Sequence, residues 1–189
     1  VELLKKLIAE QVSVYRRTNV VKSEKFSDIM QRAINSYLNG MLTNEEVIEE
    51  MLKLAKQIAA DQKEGNKLGL NADELAFYDA LTKPQAIKDF YENEELIAIT
   101  KELTETLRKN KTIDWQKRES ARAKMRMLIK KLLKKHKYPP EGMEDAVQTV
   151  MTQCELWTDN NSFEDKQNIY RYNANTEEDL QMVAEEGVK

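Results

Sequence analysis

Five glycines, three prolines, one cysteine and one histidine in 189 residues leave this chain few of the parts that make turns, disulfides or metal sites. With 33% charged residues, the scarcity of Gly and Pro points to an all-helical protein. The lone Cys154 excludes an internal disulfide and agrees with a reducing, cytoplasmic compartment. On its apolar stripe the thiol reads as buried and inert rather than nucleophilic. The lone His136 sits among lysines, where solvent exposure is expected, and a zinc site would want several His or Cys ligands. No run of eighteen apolar residues is present, so no membrane span and no membrane partner are expected. The stretch from Gly65 to Gly69 has neither the spacing nor the lysine of a phosphate loop. Carboxylates are numerous but scattered on solvent faces, with no pair that reads as an acid/base couple. No catalytic residue, metal or cofactor is therefore expected within the chain.

What the chain does have is charge asymmetry. It carries 30 basic and 33 acidic residues, net −3. Between Lys117 and Lys137 there are ten Lys or Arg and one acid, Glu119, which leaves 20 basic against 32 acidic residues elsewhere. Such a segment says more about partners than the global charge does. The stretch Ile113 to Tyr138 reads as one helix of about 25 residues, roughly 38 Å long at ~1.5 Å per residue. Ala121, Met125, Leu128, Ile129, Leu132 and Leu133 fall on one arc, and the lysines fall opposite. Lys117, Lys124, Arg126, Lys130, Lys131, Lys134, Lys135 and Lys137 are the candidate phosphate contacts. They are lysine-heavy, so any DNA contact is expected to be non-specific. A face that is merely solvated is the competing reading. Arg118 and Arg122 project onto the apolar arc and are expected to be structural. Their expected partners are Asp114 and an acid of the ELAFYDAL helix, Glu74 or Asp79, because an unpaired buried charge is costly.

The remaining pattern is a series of amphipathic helices, giving an irregular bundle of seven or eight with no substantial sheet. Val1 to Thr18 opens it, and Ser23 can cap a second helix that stops at Asn39 and Gly40. Thr43 with Glu46 makes a capping box for a third helix running to Gly65. Asn71 with Glu74 caps the next, Pro84 starts a further segment, and Asn93 interrupts it. Tyr138-Pro139-Pro140 ends the basic helix, and Glu141 to Trp157 forms another. The expected core includes Leu75, Tyr78, Leu103, Leu107, Met125, Leu128, Leu132 and Val147. The acidic remainder has an extended-looking run at Asn168 to Asn173 and a possible helix at Thr176 to Glu186. The divisions expected are residues 1–66, a helical core at 67–158, and an acidic tail at 159–189. The opening VELLKKLIAE lacks an initiator Met and begins in mid-helix, as a piece of a longer chain would.

Two runs carry a family resemblance: LGLNADELAFYDAL at Leu68 to Leu81, and KELTETLRKNKTIDWQKRESARAKMRMLIKKLLKKHKYPPEGMEDAVQTVMTQCEL at Lys101 to Leu156. The combination of ELAFYDAL, the DW-x-KRES-x-RAK run and the YPP turn resembles the C-terminal helical region of the motor (restriction, R) subunit of type I restriction–modification enzymes. The likeness covers the middle half of the chain well and residues 1–65 more loosely. It implies a bacterial cytoplasmic protein. It also implies a longer parent chain, a type I endonuclease and DNA translocase with nuclease and helicase-type domains that use ATP and Mg2+. The region itself would dock onto the methyltransferase (modification and specificity) subunits, alongside double-stranded DNA. A free-standing helical nucleic-acid-binding module and a helical enzyme or ligand pocket are the alternative readings.

Overall fold

The computed structural model describes residues 1–159, and among them every regular element is helical. The acidic tail, with its expected helix at 176–186 and the extended-looking run at 168–173, lies outside the described residues.

The first three helices form a hairpin-like trio. α1 (Glu2–Thr18) and α2 (Val20–Leu38) meet at Asn19. The α2 cap is Asn19 rather than Ser23: its side chain accepts from the Lys22 N–H, and its extended backbone (φ −150) breaks the helix. α3 (Asn44–Leu68) begins with the Thr43/Glu46 capping box. It runs three residues past Gly65 and ends where Gly69 takes φ 69. Gly65 stays inside the helix, where a Cβ would sit 3.1 Å from the Leu70 carbonyl oxygen. The missing side chain lets the following loop cross close over α3. Ile8, Val12, Phe26, Val47, Met51 and Leu54 fill the space between the three helices.

The second group starts with α4 (Ala72–Leu81), closed by the Asn71/Glu74 capping box. α5 (Gln85–Phe90) is a short piece capped at Pro84, and α6 (Asn93–Asn110) resumes after a break at Tyr91 and Glu92. A 3-10 turn (Trp115–Lys117) leads into α7 (Glu119–Lys135), and α8 covers residues 140–159. Their core contains Phe77, Leu81, Leu103, Leu107, Ile129 and Val150, all at most 1% exposed. Of the residues expected there, Tyr78, Leu103, Leu107, Met125, Leu132 and Val147 are buried, whereas Leu75 and Leu128 are half-buried at its rim.

The basic helix is shorter than its charge run suggests. Asp114 adopts φ 56, and Trp115 turns into the core, fully buried, with its indole N–H donating to the Thr158 hydroxyl at 3.1 Å. Burying an indole outweighs one more helical turn, because it removes a large apolar surface from water. At the other end the helix stops before the prolines. Lys137 takes φ 58, and the Tyr138 N–H reaches back to the Leu133 carbonyl at 2.9 Å, a Schellman-type closure. α7 is thus 17 residues, roughly 26 Å at ~1.5 Å per residue.

Candidate nucleic-acid interface

α7 packs Met125, Ile129, Leu132 and Leu133 inward, which fixes the cationic residues on the far side. The structure divides those cations into two sets. Lys117 lies 3.8 Å from Asp114, Lys130 2.5 Å from Glu144, and Lys135 2.6 Å from Glu102. Arg126 donates to the Gln148 side chain at 3.4 Å. Lys124, Lys131, Lys134 and Lys137 carry no ion pair among the described residues. Lys124, Lys131 and Lys134 share an arc of about 80° on a helix of ~100° per residue. Between them Met127 stands 61% exposed.

The paired cations leave a mark on their partners. Hydrogen bonds from Lys135 and His136 hold the Glu102 carboxyl below the usual carboxylate range. Lys130 does the same for Glu144 through a hydrogen bond and its charge. His136 differs from its expected exposed placement. Its side chain is 23% exposed, its Nε2 lies 2.6 Å from Glu102, and its carbonyl accepts from the Tyr91 hydroxyl at 2.8 Å. These contacts tie the end of α7 to α6 and to the break before it.

The arginines expected to be buried are placed otherwise. Arg118 is exposed at the start of α7, and Asp114 pairs with Lys117 instead. The left-handed backbone at Asp114 removes the one-turn spacing that would have brought Asp114 and Arg118 together. Arg122 is half-buried and pairs with Glu155 of α8, thirty-three residues away, rather than with α4. Glu74 is occupied in its capping box, and Asp79 faces the first three helices.

What holds Asp79 is a network with no local sequence signal. Lys22, 4% exposed, lies 3.2 Å from Glu64, 3.7 Å from Asp79 and 3.8 Å from Asp61. The Asn19 amide donates to Asp79 at 2.8 Å. Gln153 of α8 accepts from the Val20 N–H at 2.9 Å and donates to the Thr18 carbonyl at 3.0 Å. The α1–α2 junction is therefore fastened to α3, α4 and α8 at once. Burial pulls the Lys22 ammonium down, but Asp79, Asp61 and Glu64 together outweigh it and hold it above its ordinary range. For Asp79 burial wins over Lys22 and Asn19, so its carboxyl sits above the usual value. One clue was available. Lys22 stands one turn before Phe26 on the buried stripe of α2, a position where a lysine needs carboxylates.

The described residues contain no group of three or more His, Cys, Asp or Glu placed to hold a metal ion. Cys154 is fully buried, and burial pushes its thiol up to about 12, so the thiolate is suppressed. No described helix is long and apolar enough to cross a membrane.

Residues 1–160 match the family model described as "Type I restriction enzyme HindI endonuclease subunit-like, C-terminal". The chain is 40% identical over 155 residues to the type I restriction enzyme HindI endonuclease subunit of Haemophilus influenzae, covering 82% of this chain and 15% of that protein. It is 32% identical over 145 residues to the putative type I restriction enzyme MjaIXP endonuclease subunit of Methanocaldococcus jannaschii, covering 76% of this chain and 13% of that protein. No solved structure matches. The chain thus spans a small part of the curated relatives it matches. On a family match that takes in all of the described residues, the chain belongs to the C-terminal region family of type I restriction enzyme HindI endonuclease-like subunits.

Proposed function

We propose that this chain is the assembly region of a type I restriction endonuclease subunit, docking that subunit onto methyltransferase subunits while α7 touches duplex DNA non-specifically. The observation that carries the reading is the family match over residues 1–160. Two features support its parts. Leu3, Leu7 and Val14 form an exposed apolar stripe along α1, the kind of surface a protein partner covers. Lys124, Lys131 and Lys134 form a cationic arc with no ion pair among the described residues, the kind of surface a phosphate backbone meets.

The longer protein would supply nuclease and ATP-driven translocase activities, with ATP and Mg2+ bound outside this region, in the cytoplasm of a bacterial cell. The described residues offer neither a phosphate loop nor a metal-ligand cluster, so no step of that chemistry is assigned to them. The division of labour is mechanical: the helical bundle is a rigid adaptor, and α7 lies on it as a charged rail. Contact through lysine ammonium groups carries charge but little base reading, which suits a protein that must move along DNA of any sequence.

DNA binding is tested by the salt dependence of affinity for a duplex of arbitrary sequence. Three to four phosphate contacts predict a log–log slope of roughly −3, and each single Lys→Ala change at 124, 131 or 134 should make it shallower by about 0.9. A slope indifferent to these lysines would mean that the face is only solvated, and the DNA part of the proposal would be withdrawn.

A further inference from the structure

The line of α7 that points straight away from the core carries Ala123 and Met127 before it reaches Lys134. At ~100° per residue, the mean direction of the buried Met125, Ile129, Leu132 and Leu133 lies about 180° from Met127. Met127 and Ala123 are both exposed, and they line a shallow groove with Arg126, Lys130, Lys131 and Lys134. On the helix, Arg126 and Lys130 fall to one side of Met127 and Lys124 and Lys131 to the other, all within about 100° of it. The aliphatic stems of the lysines extend the apolar surface around the methionine. Glu119, the one acid of α7, lies in its first turn, so the helix from Ser120 onward has no carboxylate of its own.

Phosphates alone do not account for that outer line, because a phosphate backbone has nothing apolar to set against a methionine. A small and an apolar side chain between two flanks of cations suit a helix laid into a groove of a duplex. The flanks then meet phosphates of both strands, and the centre meets base edges. The dimensions select the major groove: a helix with its side chains is ~10–12 Å across, that groove is ~12 Å wide, and the minor groove only ~6 Å. The apolar feature that a base edge offers there is the C5-methyl group of thymine. Pairing with Glu144 and Glu102 weakens Lys130 and Lys135 as phosphate partners, which leaves the charge contacts to Lys124, Lys131 and Lys134.

We propose that α7 seats in the major groove of duplex DNA, with Met127 against thymine C5-methyl groups and Lys124, Lys131 and Lys134 on the flanking phosphates. The inference rests on the duplex reading above and adds to it the groove and the base feature that the helix meets. It gives a mild preference for thymine-containing tracts on top of charge-driven binding that ignores sequence.

The test compares the full 189-residue chain on two duplexes of alternating sequence, dA·dT and dA·dU, which differ only in the C5-methyl group. Every register offers the methyl in the first duplex, and none does in the second. Burying one methyl group changes affinity by about threefold to fourfold, so the thymine duplex should bind tighter by that factor. Met127→Ala should remove the difference, with a melting curve that shows the fold intact. Lys131→Ala should weaken both duplexes alike and keep the difference. An RNA duplex of alternating A and U, whose major groove is too narrow for side chains to read, should bind more weakly than the dA·dU duplex. Equal affinity for the thymine and uracil duplexes would overturn the major-groove seating, as would a preference that survives Met127→Ala or an RNA duplex bound as well as DNA. In those three cases a salt slope that depends on the lysines would still stand for duplex binding. A chain that binds no duplex would overturn both readings, and if it then bound polyglutamate through Lys131, the face would be assigned to an acidic protein.

Discussion

Lys22 gathers three carboxylates from two other helices. Its ammonium is almost completely withdrawn from water and faced by three carboxylates. Lys22→Met keeps the packing volume but leaves Asp79 buried without its cation, which should cost on the order of 3 kcal/mol at neutral pH. Because burial already raises the Asp79 carboxyl, protonation on acidification removes the orphaned charge. The deficit of the variant should therefore shrink from pH 7 towards pH 4, as urea denaturation of both proteins would measure. A deficit that stays constant with pH would place the loss in packing rather than charge. Arg118 makes the opposite case. It is exposed, with Asp114 turned away to Lys117, so Arg118→Ala should change stability by no more than about 0.5 kcal/mol in the same assay. Lys137 holds a left-handed backbone that glycine adopts freely. Lys137→Gly should stabilise the chain by roughly 0.5–1 kcal/mol, visible as a higher melting temperature.

At the scale of elements, the sequence is informative where the physics is local. The Thr43/Glu46 and Asn71/Glu74 boxes need only four residues each, and both form as their spacing requires. The stripes of α6 and α8 likewise bury the residues their periodicity marks, Leu103, Leu107 and Val147 among them. The basic helix starts later than its charge run implies because Trp115, polar-flanked within that run, is claimed by the distant α8 through Thr158. The ion pairs were misread for the same reason. Arg122 finds Glu155, Lys135 finds Glu102, and Lys22 finds Asp79, across 33 to 57 residues, where helical spacing carries no information. Nor could periodicity separate the paired lysines from those with no ion pair among the described residues, since Lys130 and Lys131 are adjacent in sequence and only one has Glu144 opposite. The consequence for α7 is specific. Changing Lys124, Lys131 and Lys134 together to Glu should leave the thermal melt nearly unaltered and abolish duplex binding, whereas Lys135→Glu should lower the melt by leaving Glu102 facing a like charge.

At the scale of the whole molecule, the described residues form two apolar clusters, one among α1 to α3 and one among α4 to α8, joined by polar fastenings. Asn19, Lys22 and Gln153 make the joint, and it lies where α1 turns into α2. A joint that binds this tightly should give one cooperative calorimetric transition. Lys22→Met combined with Gln153→Ala should split it into two, since each cluster keeps its own core. A single transition in the double variant would mean that the apolar contact between α2 and α4 suffices on its own. Cohesion of this kind would suit the proposed adaptor role, in which force applied to one end has to reach the other without local unfolding. The direct measurement of that role is a pull-down of the 189-residue chain with a purified type I methyltransferase complex, with and without duplex DNA. Retention without DNA, strengthened by DNA and returned to its DNA-free level by Lys124→Glu/Lys131→Glu/Lys134→Glu, is the result this account predicts. Failure to bind the methyltransferase complex in either condition would contradict it.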